Sequence, residues 1–391
     1  MPGGVVLIDG ETISYAGPAG QAPATPGVEP TRVATVMPGM WDCHSHFWGT
    51  RTASVEALAV QSPQIGILRA ANDVNALLMA GFTSTREVGG YGSYLAGATE
   101  DGTIPGPTIY ASGSILSQTG GHGDIHALPV ADVDALFERH FGAPSICDGP
   151  DDCRRIVRRQ LRLGAKVIKV CASGGVMSQV DHPIHQQFSL DELKAIVEEA
   201  ARAERVVAAH CHGKPGIMAA VEAGVATIEH GTYLDEEAAA AMNERGQILV
   251  STRFIVEHLL ASGKALGMPD YAFVKIEAIA GRHFESMQIA VAAGVTMATG
   301  TDMFAGPVWG RNGEELGHLV KAGLSPLGAI EAATANAPAT VGPQARPTGR
   351  LEAGLDADVI CVDGDPLADI SVVADTTRVT HVWKRGAACK G

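Results

Sequence analysis

The sequence predicts an α/β protein, a (β/α)8 TIM barrel carrying a small β-sandwich domain formed by both chain termini. Three observations predict it. Eight short β-branched runs alternate with longer helical patterns, the signature of repeated βα units and a parallel sheet. Eight such units in about 300 residues are what the barrel needs, whereas a doubly wound open sheet more often uses about five to seven strands. Both chain ends instead read as short strands bounded by Gly and Pro, too little for either to stand alone.

In chain order, residues 5–8 and 12–15 flank Asp9-Gly10 and read as a hairpin. The eight candidate barrel strands are 33–37, 82–87, 108–112, 167–172, 206–210, 226–229, 248–252 and 295–298. Between them, Leu190, Leu193, Ile196, Val197 and Ala200 fall at helical spacing behind a Ser189 cap with Glu192 three residues on. Residues 151–163 and 235–245 behave likewise. Residues 113–150 form the longest irregular stretch, and long loops inside compact domains are usually functional or mobile. At the far end, 358–362 and 377–384 read as strands. The expected domains are therefore a discontinuous sandwich, 1–38 with 348–391, and a barrel, 39–347.

With 46% hydrophobic and 18% charged residues over 391 positions, the chain can bury a large core, which excludes disorder as its dominant state. Its 43 acidic against 29 basic residues leave a formal charge of −14 with no basic block, which argues against nucleic acid and anionic membrane surfaces as partners. No run of about 18 apolar residues is present to span a bilayer. Seven cysteines without paired spacing, and a start at Met1-Pro2-Gly3 that lacks a basic n-region, point to reduced thiols in the cytoplasm. A homo-oligomer acting on a small-molecule substrate is the expectation.

Active sites of such barrels lie at the C-terminal ends of the strands, so the polar residues that end each strand carry the functional signal. After the first strand comes Trp41-Asp42-Cys43-His44-Ser45-His46, where His44 and His46 point to one side of an extended backbone. The fourth strand carries Lys169, the fifth ends with His210, the sixth with Glu229-His230-Gly231 and the eighth with Thr299-Gly300-Thr301-Asp302. Four imidazoles, one carboxylate and one lysine at one barrel mouth suit zinc or a similar divalent ion. His140, His258, His283, His318 and His381 fit no strand end and read as structural or surface residues. An ammonium has no lone pair and cannot ligate a cation. Lys169 therefore either pairs with a carboxylate or snorkels outward, the role that suits Lys166 three residues earlier, or is held neutral by burial and reacts with carbon dioxide to give an anionic carbamate that bridges two ions.

These residues resemble the metal-dependent amidohydrolase superfamily, in its binuclear branch with a carboxylated lysine. The resemblance covers nearly the whole chain. Residues 37–47, 119–124, 168–175 and 228–233 are most similar to the subgroup of Xaa-Pro dipeptidase-like and Xaa-Arg or Xaa-Lys carboxypeptidase-like enzymes, and Gly349-Arg350-Leu351-Glu352-Ala353-Gly354-Leu355-Asp356-Ala357-Asp358-Val359 resembles the family's sandwich signature. The resemblance implies two zinc ions per chain, one held by His44, His46 and Asp302 and the other by His210 and His230, bridged by N6-carboxylysine at Lys169 and a hydroxide. It further implies that the metal-bound hydroxide attacks the amide, that Asp302 moves the proton to the leaving amine, and that His122 and Tyr233 donate to the substrate carbonyl. One departure is the missing strand that usually precedes the hairpin.

For the substrate, Arg253 after the seventh strand and Arg311 after the eighth are candidate carboxylate clamps. The loop holding Arg311 departs from the peptidase-like pattern. A mononuclear deaminase would place a Glu shortly after the fifth-strand histidine, where this chain has Cys211, His212, Gly213 and Lys214. A non-catalytic barrel would lose ligands, and all six stand. The expected function is hydrolysis of the amide bond of a dipeptide or N-acyl amino acid. The alternative is the same mechanism on a xenobiotic or metabolite amide, carbamate or lactone.

Overall fold

The computed structural model of the chain describes residues 2–139, 142–306 and 308–391, so His140 lies outside the described residues. The chain opens with an antiparallel hairpin of β1 (Gly4–Asp9) and β2 (Thr12–Pro18). Next comes β3 (Thr35–Pro38), and here the structure corrects the expected strand order. The segment taken as the first barrel strand pairs antiparallel with a C-terminal strand, and the barrel begins only at β4 (Met40–Thr50), eleven residues that are all buried. The switch is made at one peptide: Gly39 N–H donates to Asp358 O at 2.8 Å on the sandwich side, while Met40 N–H donates to Gly81 O at 3.0 Å on the barrel side.

The remaining barrel strands are β5 (Phe82–Glu87), β6 (Thr108–Ala111), β7 (Ile115–Ser117), β8 (Ser145–Ile146), β9 (Ile168–Cys171), β10 (Val207–Cys211), β11 (Thr227–His230), β12 (Ile248–Val250), β13 (Thr296–Ala298) and β14 (Met303–Ala305). Parallel pairing runs β14-β4-β5-β6 in one sheet and β13-β12-β11-β10-β9-β7-β8 in the other. The third barrel strand is split into β6 and β7, because Gly113 turns at φ +73° and Gln160 Oε1 accepts the Ser114 N–H at 3.0 Å. Lys166 N–H to Ala111 O at 2.8 Å bridges one seam, and Cys43 N–H to Thr299 O at 2.8 Å closes the eighth position onto the first. The architecture is the predicted barrel. The stretch 113–150 is less irregular than expected, since it holds β7, the helix Val130–Arg139 and β8.

Outer helices follow their sequence signals. Ser189 and Glu192 form the expected capping box at the start of the helix Leu190–Ala201, whose Leu193, Ile196 and Ala200 are buried. No helix among the described residues is long and apolar enough to cross a membrane.

The terminal sheet runs β17 (Ala387–Lys390), β16 (Val379–Lys384), β15 (Val359–Val362), β3, all antiparallel. Alternation along β15 sends Val359 into a small cluster with Ile13 and Ala357, and sends Ile360 and Val362 into the main core beside Met40, Leu77 and Leu78. Sandwich and barrel thus share one apolar core. Ile360→Ala should lower unfolding stability by about 2–5 kcal/mol, and chemical denaturation should still show a single cooperative transition.

Candidate metal centre

Alternation along β4 presents His44 and His46 on one side, with ring centroids 5.3 Å apart. Each ring is fixed from behind. His44 Nδ1–H donates to Glu229 at 2.6 Å and His46 Nδ1–H donates to Gly89 O at 2.7 Å, which leaves both Nε2 lone pairs forward. They meet one carboxylate oxygen of Asp302, at 3.5 and 3.1 Å. Asp302 reaches this place through a left-handed backbone, φ +58°, and an N–H donated to His44 O at 2.7 Å.

A second group consists of His210, His212 and His230, whose candidate ligand atoms all lie within 4.8 Å of one another. His210 Nε2–H donates to Gly174 O at 3.1 Å, so its free lone pair is on Nδ1. His212 and His230 each place Nδ1 2.7 Å from a hydroxyl, those of Thr232 and Thr252 respectively. The two groups adjoin, since the rings of His44 and His230 are 5.0 Å apart.

Lys169 on β9 lines the same cavity, is 2% exposed, and its Nζ has no hydrogen-bond partner. A buried ammonium without a partner is strongly disfavoured. Burial lowers the Lys169 pKa. Burial likewise pushes His44 down to about 4, and His210, His212 and His230 well below the usual histidine range. The four imidazoles are therefore held in the neutral form that ligates cations. An imidazole-rich donor set with one carboxylate and an orphaned amine fits divalent ions of the zinc type, and these residues could hold them.

The sequence reading missed His212. Its signal was present, because 210 and 212 repeat the two-residue spacing of 44 and 46, but strand β10 ends at Cys211 and the extension past it is not visible in the pattern. It also missed Arg86, which is fully buried and meets both Glu229 oxygens at 2.7 and 2.8 Å.

His122 is brought to the cavity, stacked on His210 at 4.3 Å with Nδ1 2.8 Å from Ser178 Oγ. Tyr233 donates its backbone N–H to His212 O at 2.8 Å and packs against the apolar cluster of the cavity wall, without lining the cavity itself. The two candidate arginines lie away from the cavity lining. Arg253 turns its guanidinium to Glu257, at 3.0 and 2.6 Å, and to Ala280 O at 2.6 Å, while Arg311 pairs with Glu314 at 2.6 and 2.9 Å over the Phe254 ring. Each finds a carboxylate one helical turn along its own chain, and neither lines the cavity. His283, expected to be structural, donates Nε2–H to Ser251 O at 2.8 Å and also forms part of the wall.

The cavity encloses about 1030 Å³ counting its open mouth. Trp48, Leu58, Ile115, Val176, Ile255 and Phe304 give it apolar walls, and among its described lining residues Lys169 is the only Lys or Arg.

Residues 35–389 match the family described as the amidohydrolase family. Ochratoxinase of Aspergillus niger is 48% identical over 372 residues, 92% of this chain and 76% of the relative. Its crystal structure superposes with a TM-score of 0.93, covering 99% of this chain and 91% of that one. A prolidase complexed with N-methylphosphonate-L-proline superposes at 0.91 with 36% identity, covering 98% and 94%. A Xaa-Pro dipeptidase with methionine bound in its active site superposes at 0.88 with 30% identity, covering 99% and 94%.

Behind His46, the buried Glu87 ends β5 and accepts the Gly92 N–H at 3.1 Å, pinning the turn that contains Gly89. Burial pushes its carboxyl up to about 8. Because the folded state holds this proton and the unfolded chain releases it near 4.5, the group's stabilisation is lost as pH rises through that window. Glu87→Gln should gain stability relative to the parent chain as pH goes from about 5 to 8, measured by urea titration at each pH; a pH-independent difference would contradict this assignment.

Proposed function

The chain belongs to the amidohydrolase family, and on that premise we propose that it is a binuclear zinc-dependent hydrolase of the amide bond in a dipeptide or N-acyl amino acid. The observation that carries the reading is Lys169: a buried, unpartnered amine lining the same cavity as the two histidine groups. A neutral amine there can add to carbon dioxide, losing one proton to give a carbamate whose single negative charge is shared by two oxygens. His44, His46 and Asp302 would hold one ion, His210 and His230 the other, with His212 available beside them, and the carbamate would bridge the pair. When bound, two such ions supply Lewis-acid polarisation of a carbonyl and a water whose pKa falls to about 7.

The remaining work falls to protein groups. Asp302, 19% exposed and lining the cavity beside His44 and His46, accepts a proton as the amide is attacked and passes it to the leaving nitrogen. His122, whose Nδ1 lies 2.8 Å from Ser178 Oγ, lines the cavity and in its Nε2–H form would donate a hydrogen bond to the carbonyl oxygen. The apolar walls exclude water and receive the substrate's hydrocarbon part. The prolidase and Xaa-Pro dipeptidase relatives support the dipeptide reading. A relative named ochratoxinase at 48% identity supports a second one, in which the same groups act on a non-peptide amide, carbamate or lactone.

Metal analysis of zinc-replete protein should find about two ions per chain, and a panel of dipeptides, N-acyl amino acids and non-peptide amides should separate the two readings. Lys169→Ala should lose bridged metal and at least about a hundredfold in activity, with partial recovery on adding short carboxylic acids. Full activity of that variant without such acids would sink the carbamate assignment.

A further inference from the structure

The helix Arg253–Ser262 has an unusual beginning. Its N-cap residue is Thr252, a type that ordinarily accepts a backbone N–H from the first helical turn, yet this side chain makes no cap hydrogen bond. Its Oγ1 is instead 2.7 Å from His230 Nδ1, and its backbone is left-handed at φ +57°. A threonine hydroxyl that reaches back to His230 leaves the amides of the first turn without their usual acceptor.

Glu315 meets them from another helix, Glu314–Ala322, 62 residues further along the chain. One of its oxygens accepts the Arg253 N–H at 2.9 Å and the Ser251 hydroxyl at 3.0 Å, and the other accepts the Phe254 N–H at 2.6 Å. Both oxygens are engaged, the side chain is fully buried, and Glu315 does not line the cavity. It brackets Thr252 on both sides, holding residues 251, 253 and 254 without lining the cavity.

We propose that Glu315 is a positioning residue for the metal centre: by capping the helix in place of Thr252, it frees the Thr252 hydroxyl to orient His230. The proposal rests on His230 being a metal ligand, as proposed above. The two carboxyl oxygens accept from the amides of the first turn, so the exchange of one cap for another leaves the helix start satisfied. Were Thr252 to cap its own helix, His230 would lose the partner of its Nδ1 and with it a fixed ring orientation.

The test is zinc affinity by chelator competition on the full chain, with thermal unfolding measured alongside. Glu315→Ala and Thr252→Val should each weaken one of the two bound ions by about 10–100-fold and leave the other unchanged. The double variant should be no worse than the weaker single one, because both changes remove the same orientation of His230. Glu315→Gln, which keeps a carbonyl oxygen for the helix amides, should recover most of the loss. A purely structural cap would lower the unfolding temperature while the folded fraction kept both ions at parental affinity, and that result, or multiplying effects in the double variant, would overturn the proposal. If Glu315→Ala does not fold, Thr252→Val against Glu315→Gln carries the comparison, and unchanged zinc affinity in Thr252→Val alone is decisive against it. A parental chain that binds no zinc would overturn the metal centre as well, whereas two ions with indifferent variants would sink only this inference.

Discussion

One buried ion pair organises the interior of this barrel. Glu229 has no solvent exposure, and isolating a carboxylate in that environment is strongly unfavourable. Burial pushes its carboxyl up, but the Arg86 guanidinium and then His44 outweigh it and hold Glu229 ionised, far below the usual carboxylate range. Arg86 is the structural tie as well, donating to Cys43 O at 2.6 Å, to Thr227 Oγ1 at 2.8 Å and to Thr340 O at 3.3 Å. A single side chain on β5 therefore connects β4, β11 and the turn Ala337–Thr340. Because Glu229 in turn accepts from His44 Nδ1, the direction in which His44 offers its lone pair is set by a charge pair at the centre of the fold. A hydrophobic replacement of such a pair often improves stability, so its presence here is better explained by what it orients than by what it stabilises.

The rest of the centre is built by backbone geometry at the strand ends. Five non-glycine residues among those described have positive φ, and three of them are His230, Thr252 and Asp302, each at or just beyond the C-terminal end of a barrel strand. Such conformations cost on the order of 1–3 kcal/mol each and persist where surrounding contacts over-determine them. Asp302 shows how: Asp42, buried beneath it, accepts from the neighbouring Thr301 through both N–H and hydroxyl, at 3.2 and 2.5 Å, and from Asn312 at 2.7 Å. Buried carboxyl groups that never meet the cavity hold the loops, and the loops aim the residues that do.

This arrangement explains which parts of the protein are legible in the amino-acid sequence. Strands from Phe82 to Ala298 announce themselves because a buried parallel strand needs a short β-branched run between helices, and that periodicity is local. The His44/His46 pair, Lys169, His210, His230 and Asp302 are legible for the same reason: they sit at strand ends, where a polar residue interrupts an apolar run. The passage from β3 to β4 is not, since 33–41 is one nearly continuous apolar stretch and only Pro38-Gly39 marks the change of partner sheet. His212 lies one residue past a strand end, outside any periodicity. Arg253 and Arg311 are ambiguous in sequence, because the role of a cation after a strand depends on whether a nearby carboxylate, here Glu257 and Glu314, is within reach. Glu315 is more distant still, as its role appears only when residues 62 positions apart come together.

The removal of both arginines from the cavity also changes what recognition must depend on. A guanidinium clamp would have made a substrate carboxylate the main determinant. Instead the walls are indole, phenyl and aliphatic surface, and their contribution scales with apolar area at about 25 cal/mol per Å². A substrate group burying about 100 Å² there would contribute roughly 2.5 kcal/mol, near seventyfold in affinity. That discrimination is insensitive to whether the group belongs to an amino-acid side chain or to a non-peptide ring. An apolar box beside a charge-organised centre therefore ties recognition to the shape and apolar area of the wall rather than to a charged clamp.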